Sequence, residues 1–178
     1  MSGELSVKSA YWLGRSSNPP PNQDLLRGQI WKTRIQERLK MVLWRVAANC
    51  LPMRDQRLWY DANANTNCHL CNTGQESTIH LFINCPLARA LWFSSQWGIS
   101  IDNCELSTSA QFIHFLLGPP FQEASEDLLL FGALLCDLIW RLRNEALFEG
   151  RVASYEDLRA KIIKLFAENR KVRPFPQI

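Results

Sequence analysis

Four residues near the middle of the sequence have types and spacing that could do chemistry. Cys68-x2-Cys71 places two thiols on one tight turn, and His80-x4-Cys85 returns two more donors after eight intervening residues. Three thiols and an imidazole are soft to borderline ligands, in the number that a tetrahedral zinc ion takes. Because protein would fill all four positions, none is left for water or substrate, and one structural Zn2+ is expected rather than a catalytic one. A zinc hydrolase would need an open position and a nearby general base, and this set offers neither. Thiolate ligation supplies roughly 10–16 kcal/mol in small zinc modules. That is at least as large as a typical domain's net stability.

Two other readings of these residues compete with zinc. Four unrelated side chains, with Cys85 and His80 merely in the core, would account for a lone CxxC but not for the paired His-x4-Cys close behind it. A redox dithiol at Cys68 and Cys71 would call for alternating strands and helices around the motif, which the sequence lacks. His69, between the two cysteines, is the nearest competing donor. Cys50, Cys104, Cys136 and His114 lie far from the cluster in sequence and read as ordinary core or surface residues.

The elements that must position these ligands read as helices. Leu5 to Leu13 suits a short helix, and the three prolines within Ser16 to Asn22 end it. From Ile30, the residues Trp31, Ile35, Leu39, Val42, Leu43 and Val46 recur at helical spacing. On one ideal helix Arg27, Arg34, Arg38 and Arg45 would form a basic stripe beside that face. Trp44 points away from the apolar centre, so the helix is either buried on several sides or broken near Gln36 to Lys40. Pro52 stops it, and the Asn-rich loop Asp61 to Asn67 leads into Cys68.

Pro86 suits the first turn of a helix running to Trp97, which puts Cys85 at its entrance. Gln111 to Leu117 reads as a short helix and Ser125 to Phe148 as a long one, with Gly150 as its stop. A last helix begins after Ser154 and carries Leu158, Ile162, Leu165 and Phe166 on one face. The fold class is therefore mainly α: a multi-helix domain with an inserted structural zinc knuckle and little or no β-sheet. Cys68 and Cys71 would sit on a loop, and His80 and Cys85 would flank a short helical turn.

At 178 residues and 47% hydrophobic content the chain can bury one sizeable core. The net charge of +3 does not by itself demand nucleic acid, but its distribution is uneven. Arg27 to Arg57 holds eight basic residues against two acidic ones, and Ile99 to Gly150 the reverse. That asymmetry points to a basic face. There is no stretch of about 18 apolar residues and no leader with a cleavage site, so neither a membrane partner nor a signal peptide is expected. The chain reads as intracellular, and no small-molecule substrate is implied.

The same residues resemble a known family, the zinc-binding domain that follows the reverse transcriptase in plant non-LTR (LINE-type) retrotransposons. Ser6-Val7-Lys8-Ser9-Ala10-Tyr11 is similar to its opening, Ile30-Trp31-Lys32 and Leu43-Trp44-Arg45 to its tryptophan motifs, and Leu51-Pro52 with Asp55 to its turn. Cys68-x2-Cys71, Glu76-Ser77, His80-Leu81-Phe82, Cys85-Pro86 and Leu91-Trp92 resemble its metal segment. Trp140-Arg141-Leu142-Arg143-Asn144 to Phe148 is similar to the helix that often follows. Departures are His69 where the family often has proline, Gln36 near another usual proline, and Met53 for a common threonine.

The resemblance implies a zinc-binding domain over residues 5–97 and a helical C-terminal extension over 98–178 packing on the same core. With no Tyr-x-Asp-Asp and no ribonuclease H carboxylates in sight, it implies a non-catalytic fragment of a retroelement polyprotein. Its partners would be RNA or DNA, through Arg27, Arg34, Arg38 and Arg45, or other domains of that polyprotein. Nuclear action is implied only by what such elements do. The alternative is a purely structural or protein-interaction module that spaced polymerase from ribonuclease H.

Overall fold

The computed structural model describes residues 22–59, 61–118 and 123–171. The expected helix Leu5 to Leu13, the motif Ser6 to Tyr11 and Trp12 lie outside the described residues. The elements are α1 (Asn22–Lys32), α2 (Glu37–Ala47), a 3-10 turn (Arg54–Trp59), a π-turn (His80–Asn84), α3 (Pro86–Phe93), a second 3-10 turn (Ile101–Cys104), α4 (Ser109–Leu117), α5 (Glu123–Glu149) and α6 (Tyr155–Lys171). Among the described residues there is no strand, and the only extended pairing is a bridge between Asn67 and Gln75.

α5 lies at the centre because its sequence leaves it nowhere else to go. From Leu129 to Ile139 the apolar side chains on every side are buried, and a helix apolar all round must be surrounded. α2, α4 and α6 pack around it. Gly132 is what lets α4 and the Trp92 ring of α3 (Pro86–Phe93) close in, since a Cβ there would stand 2.5 Å from Leu116 Cδ2 and 3.1 Å from Trp92 Cη2. The buried Asp137 in the same helix is neutralised by Arg38 at 2.8 Å and by Arg141 at 2.7 Å. No helix among the described residues is long and apolar enough to cross a membrane.

The basic stripe requires one correction. α1 stops at Lys32, Thr33 folds back with both its N–H and its hydroxyl donating to Ile30 O, and Gln36 is extended (φ −59°, ψ 143°) before α2 begins. Buried Ile35 pins the turn to the core, and buried Lys40 donates to Trp31 O at 3.3 Å, satisfying a carbonyl at the end of α1. Arg27, Arg34, Arg38 and Arg45 therefore do not share one helix, although Arg38 and Arg45, seven residues apart on α2, share a face. No proline is needed at Gln36 for a fresh helix to start. Trp31, read from sequence as core, is 38% exposed with Arg27 over its ring, whereas Trp92 is fully buried.

Helix starts follow their local chemistry. Thr108 and Gln111 form a reciprocal capping box on α4, and Ser154 Oγ accepts from Asp157 N at the start of α6. Trp92, Phe112, Phe131, Trp97 and Phe166 meet edge to face with centroids 5.7–5.9 Å apart. Buried apolar side chains from Leu26 to Ile162 form a single cluster, to which segments on both sides of Trp97 contribute.

Candidate metal centre

The loop between the first 3-10 turn and the π-turn is held by its own backbone. Cys68 N donates to Gly74 O, Asn72 N to Cys68 O, and Glu76 N to Thr66 O, each at 2.8–2.9 Å. This closes a knuckle around Cys68 and Cys71. Asn72 (φ 54°) and Gly74 (φ 79°) make the reversal. Gly74 is needed twice over: its φ favours glycine, and a Cβ there would press to 3.2 Å from the His80 ring.

The second pair of donors depends on an unusual turn. In an α-helix residues five apart lie about 140° apart around the axis. Here Cys85 N donates to His80 O at 2.6 Å, an i to i+5 bond, so the turn is one residue wider. His80 opens it and Cys85 follows it, one turn on. Leu81, Phe82 and Ile83 between them are all buried, and Trp92 Nε1 donates to Phe82 O at 2.9 Å. Thr78 Oγ1 donates to Asn49 Oδ1, tying the approach to the end of α2.

The result is a compact donor set. One ligand atom from each of Cys68, Cys71, His80 and Cys85 lies within 4.8 Å of all the others, and Cys71 Sγ is 3.3 Å from His80 Nε2. Tetrahedral zinc with normal bond lengths spaces its donors about 3.5–3.8 Å apart, so these residues fit the ion. Cys68 and Cys85 are fully buried. Their pKa values are driven apart: Cys68 rises because its thiol donates to Cys85 and because it is buried, and Cys85 falls by accepting that bond. Backbone N–H groups of Leu70 and Cys71 on Cys68, and of Leu87 and Ala88 on Cys85, favour the thiolates. Burial lowers the His80 pKa, which favours the neutral imidazole that binds metal.

His69 does not join the cluster. Its Nε2 is buried without a partner, and burial followed by the field of Arg54 lowers its pKa. Cys136 is buried in α5, Cys50 and His114 are exposed, and Cys104 is half-buried, all apart from the site. Arg27, Arg34, Arg38 and Arg45 are exposed, but Arg38 is already engaged by Asp137.

Sequence reasoning named Glu76 only as part of the metal segment and missed its role, which is to tie the knuckle to the bundle. Glu76 is fully buried, and its Oε1 accepts from Arg143 Nε at 3.0 Å, Arg143 Nη2 at 2.6 Å and Arg54 N at 3.2 Å. Arg143 also donates to Pro52 O at 3.2 Å and lies over the Trp140 ring. A signal existed: Glu76 is the only acidic residue between Asp61 and Asp102, in a stretch that must pack against α5.

A protein of Arabidopsis thaliana that bears a provisional ribonuclease H name is 33% identical over 91 residues, which are 51% of this chain and 15% of that protein. The chain thus matches a small part of that relative's length. No solved structure matches. The description "zinc-binding in reverse transcriptase" matches residues 5–92, which include the knuckle, the π-turn and α3 as far as Trp92. Residues 5–92, just under half of the chain, are thus similar to the zinc-binding domain found in reverse transcriptases.

Proposed function

We propose that Cys68, Cys71, His80 and Cys85 hold one zinc ion whose role is structural. We infer further that the chain is a non-catalytic accessory domain derived from a LINE-type retrotransposon reverse transcriptase, which grips RNA or DNA through its basic segment. The observation that carries the metal reading is the convergence of the four donors within 4.8 Å. When bound, zinc would draw both halves of the site together and keep the thiols deprotonated. Four protein ligands leave no position for substrate, which is the basis for assigning no catalysis to it.

Support for nucleic-acid binding is electrostatic. Arg27, Arg34 and Arg45 are exposed, and none pairs with a carboxylate among the described residues. A second reading, docking to other domains of the parent polyprotein, is favoured by the exposed Phe93 (64%), Phe148 (78%) and Val152 (83%).

Elemental analysis of protein purified without added metal tests the first part. One zinc per chain is expected, lost together with helical signal in a Cys68→Ser, Cys85→Ser double variant; a folded wild type that takes up no zinc under reducing conditions defeats the assignment. For the second part, affinity for short RNA and DNA should fall steeply as salt rises. Undetectable or salt-independent binding sinks it.

A further inference from the structure

We propose that the chain holds a segment of single-stranded RNA beside the metal knuckle, with a backbone phosphate between Arg54 and Arg57 and the neighbouring base against Phe148. The proposal rests on the nucleic-acid reading above and moves the contact away from Arg27, Arg34 and Arg45. A cleft of about 420 Å³ is lined by Arg54, Arg57, Asp61, Asn63, Ala64 and Asn65. A second, of about 360 Å³, includes Pro52, Met53, Leu147 and Phe148, and Arg57 lines both. One guanidinium therefore stands between a polar cleft and an apolar slot.

The polar wall is set up to donate. Arg54 Nη1 donates to Asn67 O at 2.8 Å, which fixes the side chain, while its Nε–H is buried with no acceptor. A guanidinium carries five N–H donors, so Arg54 keeps others, besides the one given to Asn67 O, to donate to an anionic oxygen. Arg57 is exposed and pairs with no carboxylate among the described residues. Asn65 Oδ1 is taken up by Asn67 N at 2.9 Å, so what this side chain has left to offer a ligand is chiefly its NH2 group. Two guanidiniums and an amide suit one phosphate.

Asp61 makes the wall selective. Its Oδ1 accepts from Asn63 N at 2.9 Å, which holds the carboxylate in its own turn. A carboxylate beside two arginines opposes a second phosphate but accepts a hydroxyl. The sugar hydroxyl adjoining a backbone phosphate is the 2′-OH, which RNA has and DNA lacks. Phe148, 78% exposed beside Leu147 and Met53, offers a ring on which an unpaired base can stack, and a duplex hides that face. Basic groove and aromatic platform together are the pattern of single-strand recognition.

The test is fluorescence anisotropy with a short mixed-sequence single-stranded RNA, its DNA counterpart and the RNA duplex, using the full chain in its metal-loaded form. Arg57→Gln and Phe148→Ala, both at exposed positions, should each weaken RNA binding roughly tenfold, and Arg57→Gln should also lower the salt slope by about one. Asp61→Ala, which removes both carboxylate oxygens, should abolish a preference for RNA over DNA, with metal content and helical signal reporting that it has folded. Arg54→Gln should behave like Arg57→Gln, with metal content and helical signal reporting that it has folded.

If the wild type binds, but these variants bind as well as it does while an Arg27→Gln, Arg34→Gln, Arg45→Gln triple variant loses affinity, the location is wrong and the nucleic-acid reading survives. Equal affinity of the wild type for RNA and DNA, or a stronger grip on duplex, overturns the assignment to single-stranded RNA. A wild type that binds none of the three probes removes both readings.

Discussion

Glu76 and Arg143 show what one buried charge asks of its surroundings. The pair is almost fully sequestered, with side chains 0% and 5% exposed, so neither charge has water to fall back on. Removing one partner leaves the other uncompensated, which typically costs about 3–5 kcal/mol. Arg143→Met should lose about that much in urea unfolding. An Arg143→Met, Glu76→Gln pair should recover a large part of it, because the stranded carboxylate is gone. Equal losses in the single and double variants would mean that the pair contributes only through packing. The ligand types were legible in the sequence because soft donors gathered at such close spacing seldom serve anything but a metal. The Glu76–Arg143 pair was not, because a salt bridge across 67 residues leaves no periodic trace.

At the scale of elements, hydrophobic period and punctuation located the helices that carry strong local signals. Pro86 opens α3 and the Thr108–Gln111 box opens α4, each in keeping with its residue chemistry. The break between α1 and α2 was only half legible: Trp44 warned of it, but the residues that make it, Thr33 through Gln36, form a turn through backbone bonds that many sequences could make. The π-turn was invisible, since no composition marks one extra residue per turn. Gly132 interrupts the apolar run of α5, and it is a point of close approach. Gly132→Ala would gain about 1 kcal/mol in helix propensity. The overlap with Leu116 and Trp92 should outweigh that, with overpacking costing roughly 1–3 kcal/mol. A lowered Tm is expected, and a raised one would show that Leu116 can move aside freely.

For the whole molecule, the metal ligands are not an appendage. Cys68 and Cys85 belong to the same buried cluster as α2, α4 and α5, and the π-turn packs directly on α5. A knuckle that shares its core with the bundle cannot come loose alone. Stripping metal with a strong chelator should therefore lower stability as a unit, with helical circular dichroism and tryptophan emission changing together on heating. Separate transitions would show that the bundle stands without its knuckle. Length and composition foretold one core. They could not foretell that the core runs through the metal site, because that depends on which faces meet.

The π-turn gives this segment a fixed length as well as fixed residues. Asn84 is exposed, so exchanging it for another polar residue disturbs little. Deleting it is a different matter: the turn would tighten to an ordinary helical one, and α3 would swing by about 100°, carrying Leu91 and Trp92 off the core and Trp92 Nε1 away from Phe82 O. Lineages descended from such a sequence can thus drift in spelling at Asn84 far more readily than in the number of residues between His80 and Cys85.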